Sequence, residues 1–143
     1  MARPKSFTPR EAFLSHSSID RPFAGRLARD LRRHAIPVWY SATNILAAQQ
    51  WHDEIGAALA RCDWFLLVLS PAAIGSRWVK QELLYALNDR RYENRIVPLL
   101  HEPCDQEQLS WTLPAFEMID FTAPYTNALR ELLRTWGIGY RPR

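Results

Sequence analysis

The sequence predicts an α/β domain with a flavodoxin-like doubly wound sheet of five parallel strands, in the order 2-1-3-4-5, and helices on both faces. Three observations support this fold class. Strand-like and helix-like segments alternate along the whole chain. Residues 64–69 are apolar without alternation, which is typical of a central strand covered on both faces. The chain has 143 residues, which suffices for one domain with a single core.

Hydrophobic periodicity predicts the elements that precede this central strand. The first strand ends at Ser15, and Ser17, Ser18 or Asp20 can cap the helix that follows. The apolar stripe of that helix consists of Phe23, Leu27 and Leu31. A short second strand is predicted at residues 38–40, and a polar loop follows it. Apolar residues at helical spacing then predict the second helix: Trp51, Ile55, Ala58 and Leu59.

Two further strands and their helices complete the predicted sheet. Residues 71–91 predict a helix that Gly75 divides into a turn and a main helix. Residues 96–100 predict a fourth strand with an irregular edge or end, because Pro98 is tolerable only where its missing N–H donor is not needed. The alternating residues 116–121 predict a half-exposed edge strand. The apolar side of the closing helix is formed by Leu129, Leu132, Leu133 and Trp136.

The domain is expected to span residues 9–137, between an N-terminal tail of residues 1–8 and a C-terminal tail of residues 138–143 that frays after Tyr140. No apolar run approaches the roughly 20 residues of a membrane span, and residues 1–10 lack the apolar core of a signal peptide. Two cysteines do not form a disulfide scaffold. We therefore expect a cytoplasmic protein that does not bind membranes.

The basic residues suggest an anionic ligand only weakly. The formal net charge is +3, and much of the excess lies along the first helix, in Arg21, Arg26, Arg29, Arg32 and Arg33. Such a face could attract phosphate or nucleic acid. No aromatic residues interleave with these arginines for base stacking, so we interpret them as a solvated helix surface. Nucleic-acid binding stays a minor alternative.

A ligand site in such a sheet is expected at the carboxyl ends of the strands, where the winding reverses. The predicted rim is residues 15–18 on one side and residues 70–71 on the other, and the helix that starts there carries Trp78 and Glu82. Residues four apart on a helix share a face, with Cβ atoms about 5–6 Å apart. An indole beside a carboxylate suits a cationic aromatic ring. The alternative is a packing tryptophan and a solvated charge.

Several classes of site are not supported. The rim lacks the acidic cluster of a phosphoacceptor receiver domain, and the chain contains neither a P-loop nor a G-x-G-x-x-G motif after the first strand. The rim serines have no evident His–Asp partner for a hydrolase triad. The four histidines form no ligand-spaced set, so we expect no metal site: His16, His34, His52 and His101.

Taken together, four ordered motifs resemble the Toll/interleukin-1 receptor (TIR) domains of the bacterial type. These motifs are residues 11–17, 38–39, 62–70 and 76–83. The resemblance extends over about residues 9–136, with Phe121 matching the last strand. One departure lies in the loop after the second strand, where Ala47 and Ala48 occupy positions at which glycines are expected. Because alanine resists positive φ, this loop should be stiffer or should extend the following helix. Ile45 and Leu46 give the loop an apolar tip.

The resemblance implies one of two functions. TIR domains either cleave the nicotinamide–ribose bond of NAD⁺ or act as adaptors through TIR–TIR interactions, and a glutamate in the helix after the third strand implies the enzyme. On that basis Glu82 would be the catalytic carboxylate. Phe13 and Ser15 would line the nicotinamide end, and Trp78 would pack beside the dinucleotide. Trp39 is a weaker candidate for the pocket wall.

Two further rim residues, His16 and Ser70, could offer hydrogen bonds to a polar ligand. NAD⁺ would be a substrate, so no cofactor is expected. Water, an adenine nitrogen or another base as nucleophile would give ADP-ribose, a cyclic product or base exchange, and the sequence leaves these open. The resemblance also implies self-association with other TIR domains, an activating partner protein or domain, and a role in immune or cell-death signalling such as antiphage defence.

Overall fold

The computed structural model describes residues 8–40 and 48–143, without the side chains of residues 48–51. The strands are β1 (Ala12–Ser15), β2 (Val38–Trp39), β3 (Trp64–Leu69), β4 (Ile96–Leu100) and β5 (Ile119–Asp120). The α-helices are α1 (Arg21–Arg33), α2 (Ala48–Arg61), α3 (Pro71–Ile74), α4 (Arg77–Leu87) and α5 (Tyr125–Arg134). All described strand pairs are parallel, in the order β2-β1-β3-β4-β5. The predicted fold class is confirmed.

The strand β3 lies at the centre of the sheet and is buried along its whole length. It pairs with β1 on one side, where Ser15 aligns with Leu67, and with β4 on the other. Strands buried on both faces cannot alternate apolar and polar residues. This is why the continuous apolar run predicted the strand correctly.

Apolar clusters cover both faces of the sheet. On one face the sheet packs against α1 and α5, through residues such as Leu27, Leu31 and Leu132. On the other face Phe13, Phe65 and Leu67 pack against residues of α2 and α4, including Ile55, Val79 and Leu83. The second face is the one from which Glu82 reaches the sheet.

Backbone direction explains how β4 accommodates Pro98. The carbonyl of Arg95 accepts a hydrogen bond from the N–H of Phe65 at 2.9 Å, and the N–H of His101 donates to the carbonyl of Leu69, the last residue of β3, at 2.9 Å. Odd-numbered residues of β4 therefore face β3, and Pro98 faces β5. Pairing with β5 begins one residue later, at Leu99. The missing donor falls where no partner strand needs it, and this is the irregular edge that was predicted.

Two predicted features differ from the structure. The last strand is only two residues long, because residues 116–118 have no regular structure between a 3₁₀-helix at residues 113–115 and β5. The C-terminal tail is not frayed. The N–H of Arg141 donates to Nε2 of His34 at 2.9 Å, and the Arg143 guanidinium donates to the buried Asp30 at 2.8 Å. These long-range partners on α1 could not be predicted from the composition of the tail.

The predicted break at Gly75 is confirmed, since α3 ends at Ile74 and α4 begins at Arg77. The predictions for Ile45, Leu46 and Ala47 lie outside the described residues, whereas Ala48 is the first residue of α2. Within the described chain, no helix is long and apolar enough to cross a membrane.

Candidate active site

Glu82 is carried by α4, whose start is defined by a side-chain cap. The hydroxyl of Ser76 accepts a hydrogen bond from the N–H of Val79 at 3.2 Å, which satisfies one of the free donors of the first turn. Val79, Glu82 and Leu83 fall on the buried side of the helix. Glu82 thus occupies a position at which helical periodicity would place an apolar residue, and its side chain is only 7% exposed.

Ser15 provides the polar partner of this buried carboxylate. It is the last residue of β1, is 1% exposed, and donates its hydroxyl to Oε1 of Glu82 at 2.6 Å. This distance is typical of a hydroxyl bound to an ionised oxygen. No basic residue forms an ion pair with Glu82 within the part of the chain that the structure describes. Among the described residues, no cation neutralises this carboxylate.

Burial changes the acidity of this group. It raises the pKa of Glu82 to about 7, while the hydrogen bond from Ser15 acts in the opposite direction. A carboxyl group that titrates near neutral pH is uncommon on a solvated helix, and such groups occur frequently at functional sites. The local chemistry supports a reactive role for Glu82.

Aromatic side chains adjoin the same edge of the sheet. Phe13 is fully buried and stacks on Trp39, with ring centroids 5.0 Å apart, and on Phe65 at 5.5 Å. Trp39 and Trp78 are half-buried. Trp78 lies one helical turn before Glu82, and its ring is 6.0 Å from that of His52. Of these rings, Trp39 and Trp78 retain accessible surface, whereas Phe13 has none and contacts Trp39.

His16 and Ser70 take different positions. His16 is half-buried, and its Nδ1 lies 3.3 Å from the carbonyl oxygen of Leu14, to which the neutral ring can donate. Burial lowers the pKa of the His16 imidazole. Ser70 is fully buried, accepts the N–H of Ala73 at 3.0 Å and donates to Asp20. Its hydroxyl is thus engaged in holding the start of α3.

Sequence reasoning treated Asp20 only as a helix cap, but it is the centre of a second polar group. It is 3% exposed and also accepts a hydrogen bond from the Ser17 hydroxyl at 3.1 Å. Asp20 does not cap its helix with its side chain. The ligand atoms of Asp20, His101 and Glu102 lie within 4.8 Å of one another, so these residues could hold a metal ion. The signal in the sequence was their placement just after β1 and β4, at one edge of the sheet.

Comparison with known proteins identifies related chains. The profile of the family described as TIR domain matches residues 12–133. Over 98 residues the chain is 24% identical to the NAD(+) hydrolase TcpC of Escherichia coli O6:H1 strain CFT073, a match that covers 66% of this chain and 32% of that protein. The chain thus spans about a third of the length of this curated relative.

Solved structures share the fold at low sequence identity. The TIR domain of the Toll-related receptor TRR-2 from Hydra magnipapillata superposes with a TM-score of 0.69 at 18% identity, covering 86% of this chain and 94% of that one. The TIR domains of the activated Roq1 resistosome, which recognises the pathogen effector XopQ, superpose with a TM-score of 0.66 at 15% identity. That match covers 87% of this chain and 97% of the Roq1 chain.

Proposed function

This chain belongs to the TIR domain family, and from that premise we propose that it is an enzyme that cleaves the nicotinamide–ribose bond of NAD⁺, with Glu82 as the catalytic carboxylate. The observation that carries the proposal is the buried Glu82 carboxylate held by Ser15 at the carboxyl end of β1. The name of the Escherichia coli relative, an NAD(+) hydrolase, supports the same chemistry.

A single carboxylate is sufficient for this reaction. The bond between C1′ of the ribose and N1 of the pyridinium breaks, its electron pair passes to the ring nitrogen, and nicotinamide leaves as a neutral molecule. No general acid is needed for the leaving group, unlike in ordinary glycoside hydrolysis, which uses two carboxyl groups. The positive charge that develops on the sugar is stabilised by an anion nearby.

The second half of the reaction completes the balance. A water oxygen bonds to C1′ and loses a proton to solvent, so NAD⁺ and water yield nicotinamide, ADP-ribose and H⁺. If an adenine nitrogen of the same molecule attacks instead, the product is a cyclic ADP-ribose. If another free base attacks, the bases exchange. In our proposal Glu82 also orients the attacking group in each case.

The surroundings of Glu82 favour this role. Its 7% exposure places the carboxylate in a low local dielectric, where its attraction for a sugar cation is stronger than in water. In our proposal Trp78 and Trp39 contact the pyridinium and its ribose, Phe13 supports Trp39 from below, and His16 hydrogen-bonds the polar groups at the rim.

Access to the site supports a link between activity and assembly. Because Glu82 is almost covered in the single chain, a dinucleotide needs the neighbouring side chains to move and a further surface to enclose it. We propose that self-association of TIR domains, or an activating partner, supplies both. The protein would then act in the cytoplasm as an inducible NAD⁺-consuming enzyme of immune or cell-death signalling, such as antiphage defence.

The test is release of nicotinamide from NAD⁺ by concentrated protein, compared with the Glu82→Gln variant. Glutamine keeps the shape and can still accept the Ser15 hydroxyl, but it removes the charge. We expect nicotinamide release to fall by at least about 100-fold. The matched control is Glu131→Gln, an exposed glutamate on α5, which should keep full activity. The mass of the product distinguishes ADP-ribose from a cyclic product, which contains one water less.

Full turnover by Glu82→Gln would overturn the assignment of the carboxylate. Absence of turnover in the unaltered protein, both with a crowding agent and with the protein fused to an oligomerising domain, would favour the alternative, a non-enzymatic TIR adaptor that acts through TIR–TIR contacts.

A further inference from the structure

The loops after β1 and β4 bring together three groups that are not part of the proposed cleavage site. Asp20 follows β1, and His101 and Glu102 follow β4, with their ligand atoms all within 4.8 Å. Asp20 is buried, His101 is half-buried and Glu102 is exposed. The group is therefore open to solvent on one side and closed on the other.

The two oxygens of Asp20 differ in their partners. Oδ2 accepts hydrogen bonds from the hydroxyls of Ser17 and Ser70. Oδ1 lies 3.9 Å from Nε2 of His101, too far for a hydrogen bond, and receives no hydrogen bond from any residue that the structure describes. Asp20 as a whole is 3% exposed, and Oδ2 is fixed by the two serines while Oδ1 is left next to the His101 ring.

His101 is anchored both by its ring and by its backbone. Its ring stacks on Phe23 with centroids 4.1 Å apart and planes inclined by 20°. The backbone N–H groups of His101 and Glu102 both donate to the carbonyl of Leu69, at 2.9 and 3.2 Å. The ring of His101 is thus anchored to α1 and its backbone to β3, and its Nε2 atom faces Asp20.

The spacing suits a small divalent cation. Ligand atoms each about 2.0–2.2 Å from one Zn²⁺ lie roughly 3.4 Å apart at a tetrahedral angle. The observed 3.9 Å between Asp20 Oδ1 and His101 Nε2 needs a closure of roughly half an ångström. The three ligand atoms lie within 4.8 Å of one another, so the exposed Glu102 side chain must move by roughly an ångström more to complete the set. One imidazole nitrogen with two carboxylates favours a first-row transition metal over Mg²⁺, which prefers oxygen ligands alone.

We propose that Asp20, His101 and Glu102 bind one divalent transition-metal cation, with Zn²⁺ the best match, and leave a coordination position open to water or an anionic ligand. Ser17 and Ser70 orient the Asp20 carboxylate through its other oxygen, as outer-shell partners of metal ligands do. The cation would tie the loop after β1 to the loop after β4, at the edge of the sheet where Ser15 holds Glu82.

The test is calorimetric titration of Zn²⁺ into the whole chain, purified without a histidine tag, with Mg²⁺ as the comparison cation. We expect one Zn²⁺ per chain and much weaker binding of Mg²⁺. His101→Ala and Glu102→Gln should each weaken Zn²⁺ binding by at least about tenfold. The matched controls are His52→Ala and Glu107→Gln, which remove an exposed histidine and an exposed glutamate outside the group and should leave binding unchanged.

Thermal denaturation gives a second readout. Saturating Zn²⁺ should raise the melting temperature of the unaltered protein and leave that of His101→Ala unchanged, because only the folded state holds the three ligands together. Absence of saturable Zn²⁺ binding, or equal binding by His101→Ala, would overturn the proposal. Neither readout uses nicotinamide release, so the result is independent of the role of Glu82.

Discussion

Glu82 and Ser15 are 67 positions apart in the sequence, and their 2.6 Å hydrogen bond joins the end of β1 to the middle of α4. At the residue scale this contact determines the chemistry of the site. The carboxyl group is buried with one hydroxyl partner, so its charged form is penalised and its pKa rises to about 7. Two measurable consequences follow, one for activity and one for stability.

Activity should depend on the ionisation of Glu82. Only the carboxylate form stabilises a sugar cation, so kcat/KM for NAD⁺ should rise with pH, with a midpoint near the pKa of about 7, and level off above it. The measurement is nicotinamide release between pH 5.5 and 9. Because the Ser15 hydroxyl lowers the pKa of Glu82, Ser15→Ala should move the midpoint to higher pH. A profile that is flat or falls with pH would contradict the proposed role of the carboxylate.

Stability should show the opposite trend with pH. Between pH 4.5 and about 7 the unfolded chain loses the Glu82 proton while the folded chain retains it, so this group's contribution to the free energy of unfolding falls as pH rises. The loss is at most about 3 kcal/mol. Glu82→Gln cannot lose a proton, so it should gain stability relative to the unaltered protein between pH 5 and pH 8. Urea denaturation at pH 5 and pH 8 measures the difference in unfolding free energy between Glu82→Gln and the unaltered protein. The same difference at both pH values would refute the assigned burial of Glu82.

At the scale of elements, the position of Glu82 depends on where α4 begins. The short helix α3 ends at Ile74, Gly75 follows it, and the Ser76 hydroxyl caps α4 by accepting the N–H of Val79. The start of α4 in turn sets which residues face the sheet, since a helix rotates by 100° per residue. The register that buries Val79, Glu82 and Leu83 thus originates in local chemistry that is visible in the sequence.

Removal of this cap should destabilise the protein measurably. Ser76→Ala leaves the N–H of Val79 without its partner and should lower the free energy of unfolding by about 1 kcal/mol, whereas Ser76→Asp should retain the cap. Urea denaturation measures both. Ser18→Ala is the matched control, because the Ser18 side chain is exposed and makes no cap hydrogen bond within the described chain. A loss in Ser18→Ala as large as in Ser76→Ala would argue against a specific capping effect.

At the scale of the whole molecule, the sheet separates two apolar layers, and the proposed site lies at its carboxyl edge. The layer with α1 and α5 is closed further by the C-terminal tail, which contacts His34 and Asp30. The layer with α2 and α4 contains Glu82 at its boundary. A site at the edge of one thin sheet encloses a dinucleotide poorly, which is why we couple activity to assembly.

That coupling predicts a concentration dependence. Nicotinamide release per mole of protein should increase with protein concentration and with an inert crowding agent, because association completes the site. Sedimentation at the same concentrations should show the associated fraction rising in parallel. Specific activity that stays constant while the associated fraction changes would show that the single chain is competent and would remove assembly from the proposal.

The sequence by itself determined the class of fold, the strand order and the approximate positions of the helices, because these follow from short-range periodicity and from the few ways in which alternating βα units can pack. It also indicated Glu82 as a candidate site residue, through its position on a helix at the carboxyl edge of the predicted sheet. Only the tertiary structure decided that Glu82 is buried against Ser15, that the tail packs on α1, and that Asp20 faces His101. These contacts join residues far apart in the chain, and no local pattern encodes the distance between two loops that meet only when the sheet has formed.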